Sequence, residues 1–164
     1  MPIRGILPTS RTRKFFVPCV QASEDPFEDG DETYYESWYG WILPSATRSW
    51  NIIGAFGRFV VPQDFISDLS VQAIITPLSS GNIYCAHFVE YGAIGEPASN
   101  HEDFYDWTTI SLTASQQNAV ANVNVSAVID DIVSLAFHRD TKHASDDGYA
   151  LRFHGWLVEY TAEY

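Results

Sequence analysis

The chain has 164 residues and a formal net charge of −12. A chain of this length suits a single domain and buries enough surface to support a core of its own. The excess of Asp and Glu excludes binding to a nucleic-acid backbone, which needs clustered Lys and Arg. Aromatic residues make up 15% of the sequence. That share is typical of a well-packed β-protein, and an aromatic binding face is the alternative.

The first 33 residues differ in charge from the rest of the chain. Residues 1–14 hold four basic residues and no acid, whereas residues 24–36 hold seven acids and no base. Opposite blocks of charge predict an extended arm that lies on its own acidic segment or on a neighbouring subunit. Two solvated, mobile stretches are the alternative. We therefore divide the chain into an N-terminal arm and acidic linker, residues 1–33, and a folded domain, residues 34–164.

The sequence shows neither a secretory signal nor a membrane span. The N-terminus lacks the apolar stretch and small-residue cleavage site of a signal peptide, and no apolar run reaches about 18 residues. We therefore expect synthesis in a cytoplasm and no membrane partner. Cys19 and Cys85 lie far apart in strand-like runs, so we expect buried, reduced thiols and no disulfide.

Short apolar runs with period-two alternation predict eight or nine strands separated by Gly- and Pro-bearing turns, with no amphipathic helix. The predicted strands before the closing segment cover residues 15–20, 34–43, 50–61, 69–76, 83–91, 107–113 and 116–128. A short helix is the alternative for residues 116–128, where the valines favour a strand. This pattern predicts an all-β protein, an antiparallel β-sandwich. About eight strands with long connections favour a jelly roll with an extended N-terminal arm. An immunoglobulin-type sandwich is the alternative, but the sequence lacks its Cys…Trp…Cys spacing.

The closing segment, Ile132–Tyr160, predicts a hairpin of two strands joined by a solvated loop over residues 139–148. Alternation on the second strand divides its side chains into two sets on opposite faces. We expect one set in the core and the other outward, toward a neighbouring subunit. The core set is Leu151, Phe153 and Leu157, and the outward set is Arg152, His154 and Trp156.

Interfaces between proteins are enriched in Trp, Tyr and Arg. We therefore predict an assembly interface that joins the basic residues of the arm to the outward set of the closing strand. Its candidate residues are Arg4, Arg11, Arg13, Lys14, Arg152, His154 and Trp156.

Three motifs carry a resemblance to a known class of proteins: PQDF at Pro62–Phe65, NIYCAHFVEYGAIGE at Asn82–Glu96, and LAFHRDTKHASDDGYALRFHGWLVEY at Leu135–Tyr160. The chain from Tyr39 to Tyr160 resembles small single-domain proteins of bacteriophage and environmental viral sequences. The resemblance implies a jelly-roll virion component, such as a capsid, decoration or head or tail accessory subunit. It further implies a homo-oligomer, with a trimer favoured, that contacts other virion proteins and is located in the virion.

Catalytic and metal-binding patterns are weak. His87, His138 and His154 include no His-x-His pair, although His138 and His154 would face each other across a closing hairpin. A loop with Asp140, Asp146 and Asp147 offers carboxylates for calcium, and a solvated loop is the alternative. The carboxylate pairs Glu102-Asp103 and Asp130-Asp131 lie in turn-like sequence, where adjacent residues do not form a catalytic pair. We therefore predict no enzyme activity and no cofactor.

Two functions remain. The first is a structural virion protein that acts through oligomeric assembly. The second is a carbohydrate-binding β-sandwich module, in which a Trp or Tyr from residues 34–50 or 105–107 stacks on a sugar ring.

Overall fold

The computed structural model describes residues 10–23, 36–37, 40–43, 52–96 and 101–163. In these ranges the chain forms strands and turns, and it includes no helix that could cross a membrane. The strands are β1 (Ser10–Pro18), β2 (Gln21–Ser23), β3 (Glu36–Ser37), β4 (Gly40–Leu43), β5 (Ile52–Val60), β6 (Phe65–Pro77), β7 (Gly81–Gly92), β8 (Glu102–Leu112), β9 (Asn118–Asn124), β10 (Ile132–Asp140) and β11 (Leu151–Glu163). The predicted all-β class is confirmed. Arg4 and most of the acidic linker lie outside the described residues.

The strands form two antiparallel sheets that pack as a sandwich. The first sheet has the order β3-β4-β11-β6-β9, with β1 also paired to β11, and the second has the order β2-β5-β10-β7-β8. The eight strands from β4 to β11 pair from the ends inward: β4 with β11, β5 with β10, β6 with β9, and β7 with β8. A ribbon of eight strands wound over in this way is a jelly roll, as predicted.

The two strands of the predicted closing hairpin do not pair with each other, so that detail is wrong. β10 pairs with β5 and β7 in the second sheet, whereas β11 pairs with β1, β4 and β6 in the first. The loop of residues 141–150 carries the chain from one sheet to the other. The strands therefore face each other across the core, where the ring centroids of Phe137 and Phe153 lie 5.2 Å apart. This arrangement buries an apolar face of each strand, which a surface hairpin would not.

The core between the sheets is apolar and includes both cysteines. Cys19 and Cys85 are buried and free, as predicted. Burial raises the pKa of Cys85 to about 12, so this thiol stays protonated. The ring of Trp156 is fully buried and packs edge-on against Phe153, with 4.8 Å between centroids.

Residues 10–18 belong to the sandwich as strand β1, beside β11. Arg13 forms an ion pair of 2.6 Å with Asp64, and Lys14 forms one of 2.6 Å with Glu159. Both acids belong to the sandwich itself. The predicted boundary at residue 33 therefore does not separate this strand from the domain, and these two basic residues are paired within their own chain.

The motifs behind the viral resemblance hold strands of the roll together. In PQDF, Asp64 accepts a hydrogen bond of 2.9 Å from the hydroxyl of Tyr160, which ends the last motif. In the Gly-rich turn after β7, the Glu96 carboxylate accepts the backbone N–H of Ala93 at 3.2 Å. These contacts give Asp64 and Glu96 structural roles, the first between two motifs and the second within a turn.

The predicted faces of β11 hold only for its first half. Leu151 and Phe153 are fully buried, as expected, but Trp156 is fully buried as well. Leu157 is half-buried and lies on the outer side of the sheet. The outward position predicted for Trp156 and the core position predicted for Leu157 are therefore wrong.

A β-bulge at Gly155 causes this exchange. Phe153 pairs with Ile75 and Gly155 pairs with Ile74, so β11 has one residue more than β6 at this point. Gly155 has φ of +142°, a conformation that favours glycine. One extra residue reverses the alternation, so even-numbered side chains face the core after the bulge.

Replacing Gly155 by Ala should destabilise the fold strongly. A Cβ at this position would lie 2.3 Å from the carbonyl oxygen of Val17, and the backbone would be strained as well. We expect Gly155→Ala to lower the free energy of unfolding by about 2–4 kcal/mol in chemical denaturation. Gly92→Ala is the control, since its Cβ would have only ordinary contacts, the nearest at 3.6 Å. Equal stability of the two variants would contradict the proposed role of the bulge.

Candidate functional site

The outer face of the second sheet carries an apolar band in an otherwise acidic chain. Phe56 on β5, Ala136 on β10, Phe88 on β7 and Phe104 on β8 lie side by side across four strands. The ring centroids of Phe88 and Phe104 are 6.3 Å apart, and Phe104 is 58% exposed. With His138, described next, these residues are the aromatic band. An exposed apolar band of this kind marks a surface for binding another molecule.

His138 completes the aromatic band. Its ring lies 5.9 Å from Phe56 and 5.4 Å from Phe88, measured between centroids. Its Nε2 atom is buried without a hydrogen-bond partner. Burial lowers the pKa of His138, so the ring is neutral at pH 7 and acts as part of the apolar surface.

A row of polar side chains lies directly beside the aromatic band. Two residues further along each strand are the four members of this charged row, Arg58, Ser134, Glu90 and Glu102, all exposed. Beyond it lie Val60, Ile132 and Gly92, the apolar end row. The face therefore carries an apolar row and a charged row across four strands, and then an apolar row across three.

A second aromatic group lies at the other end of this face, where β10 ends. Tyr84 stacks on Trp107 at 5.4 Å and on His143 at 3.5 Å between ring centroids, with interplanar angles of 21° and 13°. All three side chains are half-buried. We call these residues the aromatic stack. Next to it, the Ser111 hydroxyl donates to the side-chain oxygen of Asn82 at 2.6 Å.

A buried ion pair holds the loop that carries His143. Arg139 donates through Nε and Nη2 to the two carboxylate oxygens of Asp146, at 2.8 and 2.6 Å, and through Nη1 to the Tyr149 carbonyl at 2.7 Å. Both charged side chains are fully buried. Asp146 also accepts the backbone N–H of Tyr84 at 2.9 Å, so the loop is fixed to β7. This bidentate geometry compensates the cost of burying two charges.

The predicted assembly residues do not form one surface. Trp156 is in the core, and His154 lies beside the Gly155 bulge, where its Nε2 atom is 2.9 Å from the Thr76 hydroxyl. Arg152 is half-buried on the same strand. Arg11 is exposed on β1, while Arg13 and Lys14 are in the ion pairs described above. Arg4 lies outside the described residues, so its role stays a prediction.

The residues considered for metal binding are separated or already used. His87 is inside the core, His138 is in the aromatic band and His154 is on the first sheet. Asp146 is paired with Arg139, and Asp147 accepts the backbone N–H of Asn82. Within the described ranges, no three His, Cys, Asp or Glu side chains are grouped as a metal site.

The sequence nevertheless contains a signal for the face of the second sheet. An aromatic residue and a charged residue are separated by one position on three strands: Phe56 and Arg58, Phe88 and Glu90, and Glu102 and Phe104. Such a spacing puts both side chains on one face. Buried or half-buried residues occupy the alternate positions of these strands, so the repeat predicts that each aromatic and charged pair lies on an outer face. The sequence does not show that the three strands are neighbours, which follows only from the strand order.

Comparisons with known proteins show no family for this chain. No protein-family model and no curated protein sequence matches the chain. Among solved structures, the enzymatically active domain of tailspike protein 4 from bacteriophage CBA120 is 7% identical, with a TM-score of 0.38, covering 96% of this chain and 20% of that one. A structure of carbohydrate-binding modules from the β-sandwich superfamily is 8% identical, with a TM-score of 0.41, covering 94% of this chain and 56% of that one. The chain spans about a fifth and just over half of these two structures, and such distant likenesses assign no function.

His87 is a neutral histidine in the core. Its Nδ1 atom lies 2.8 Å from the carbonyl oxygen of Ala121, which accepts only, so Nδ1 carries the proton. Ala121 has φ of +53°, and the hydrogen bond helps to hold this strained residue. Burial lowers the pKa of His87 to about 4 from an ordinary value of 6.5.

The neutral state of His87 should make the fold sensitive to acid. Between pH 6.5 and about 4 the unfolded chain binds a proton here that the folded chain does not. The contribution to stability is therefore complete above pH 6.5 and is lost as the pH falls toward 4. We expect His87→Asn to reduce the slope of unfolding free energy against pH by about 1.4 kcal/mol per pH unit in that window. An unchanged slope would contradict the neutral state of His87 in the folded protein.

Proposed function

We propose that this chain is a structural protein of a virus particle that acts by self-assembly through the outer face of its second sheet. The aromatic band is the observation that carries this proposal. Exposed phenylalanine rings are unfavourable in water, and each buried ring contributes up to a few kcal/mol to an association. A partner surface that covers Phe104 would remove that cost.

The composition of the face supports a protein partner. The aromatic band is uncharged, and the charged row and the apolar end row lie at its side. Interfaces between proteins combine an apolar centre, rich in aromatic residues, with a polar rim. The assembly surface thus lies on the second sheet, and we place it there instead of on the arm and closing strand.

The viral context of the proposal is supported by the sequence motifs. PQDF, the Gly-rich turn and the closing segment resemble small jelly-roll proteins of bacteriophage sequences, and this resemblance implies synthesis in a host cytoplasm and location in the virion. Other copies of this chain are the proposed first partners, and other virion proteins are further ones.

Loss of the exposed ring should weaken assembly. We expect Phe104→Ser to lower the molecular mass of the purified chain in light scattering, because the mutation removes the most exposed ring of the aromatic band. Phe16→Ser is the matched variant, since Phe16 is 49% exposed on β1 of the first sheet. A decrease in mass for Phe16→Ser alone would instead place the assembly surface on β1 and the first sheet. A monomeric wild-type chain at tens of micromolar would overturn the proposal.

Glycan binding is the second candidate, and the aromatic stack favours it. Trp107 and Tyr84 offer aromatic surface, and Asn82 and Ser111 beside them offer hydrogen-bonding groups. Sugar sites combine an aromatic ring that contacts the apolar face of the sugar with polar groups that contact its hydroxyls.

A tryptophan titration separates glycan binding from assembly. If the stack binds sugars, adding the right oligosaccharide from a panel should change the tryptophan fluorescence, and Trp107→Ala should abolish the binding in calorimetry. Trp156 is buried in the core and acts as an internal reference for folding. Absence of binding across the panel would remove this candidate and leave the assembly proposal unaffected.

A further inference from the structure

The charged row contains charges that have no ion-pair partner among the residues that the structure describes. In the part of the chain that the structure describes, Arg58 forms no ion pair, and neither do Glu90 and Glu102. Arg58 is on β5 and Glu90 is two strands away on β7. Neighbouring strands are about 4.8 Å apart, so these side chains are separated by roughly 10 Å, too far for an ion pair.

Glu90 and Glu102 also oppose each other directly across β7 and β8. Like charges in this position destabilise a sheet. The row therefore has a positive end at Arg58 and a negative end at the two glutamates. A second copy packed against this face with its charged row in the opposite direction would place its Arg58 over the glutamates of the first copy.

One symmetry operation achieves this turn. A two-fold axis that runs along the strands, between β10 and β7, exchanges β5 with β8 and β10 with β7 between two copies packed face to face. Arg58 then lies over Glu102 of the second copy, and the reciprocal contact forms by symmetry. Aligned packing of two sheets at about 10 Å is a common arrangement.

The side chains beside the charged row are also complementary under this axis. In the aromatic band, Phe88 lies over Ala136 of the second copy, because their strands exchange. In the apolar end row, Ile132 lies over Gly92 in the same way. Phe88 thus opposes a small side chain and Ile132 opposes a glycine. At the ends of the aromatic band, Phe56 lies over Phe104 of the second copy, which is a contact between two aromatic rings.

We propose that two copies of this chain pair face to face through the second sheet about this two-fold axis, with Arg58 of each contacting Glu102 of the other. The proposal rests on the proposed self-assembly and specifies its symmetry. It replaces the trimer implied by the viral resemblance with a pair, because a three-fold contact would not bring the same row against itself.

A charge exchange tests the pairing. The molecular mass of the full chain is measured by analytical ultracentrifugation over a range of concentrations, for the wild type, Arg58→Glu, Glu102→Arg and the double variant. Each single change replaces two attractive contacts by two repulsive ones, so we expect self-association to weaken on the order of tenfold to a hundredfold. The double variant restores opposite charges and should recover most of the affinity. Glu163→Arg, an exposed site on β11 with the same charge change, is the control and should leave the mass unchanged.

The outcomes separate this proposal from the broader one. A wild-type dimer that the single variants dissociate and the double variant restores would support the two-fold pair. A trimer, or an oligomer that depends on Phe104 but is not restored by the double variant, would overturn the pair and leave self-assembly standing. A wild-type monomer at every concentration would overturn both.

Discussion

The ion pair between Arg139 and Asp146 is the interaction on which the closing of the roll depends. The chain must leave the second sheet at the end of β10 and enter the first sheet at β11, over a polar loop that crosses the edge of a dry core. The Arg139 guanidinium donates to the Asp146 carboxylate and the Tyr149 carbonyl inside that edge, and these hydrogen bonds give the loop one fixed path. The same carboxylate accepts the backbone N–H of Tyr84 on β7. The loop thus supplies the hydrogen-bond acceptor for β7 beyond the end of β10. Removing either charge alone would leave the other buried without compensation.

The two outer faces of the sandwich have different characters, and this difference follows from the strand order. The second sheet brings together three strands that each carry an aromatic and a charged residue in the same phase, so short repeats far apart in sequence become one continuous surface. On the first sheet, β1 and β11 present ion pairs such as Lys14 with Glu159, which are satisfied within the chain. Net negative charge keeps the rest of the surface soluble. The aromatic band presents apolar side chains from four neighbouring strands, which a partner could cover together.

Much of the fold was predictable from period-two alternation, and the exceptions have one local and one long-range cause. The core positions of Leu151 and Phe153 were predicted correctly. The alternating pattern does not reveal the extra residue at Gly155, which moves Trp156 into the core. The chemistry of a hairpin loop also does not reveal whether its two strands pair or separate into different sheets, since that depends on what else covers their faces. The candidate site was less predictable, because the repeat that defines the aromatic band becomes a surface only after β5, β7 and β8 are ordered around β10.

Strand β1 has a further consequence for how this domain meets other chains. It covers the edge of β11 from Gly155 to Glu163, and a nine-residue ladder of backbone groups would otherwise be open there. An open edge accepts a strand from any suitable chain, which leads either to a specific exchange or to aggregation. β1 is fixed by this ladder, by the burial of Val17 in the core and by Phe15 against Phe59, at 5.3 Å between ring centroids. The domain thus carries its own edge protection, and a foreign strand would have to displace β1 and expose Val17 before it could pair with β11.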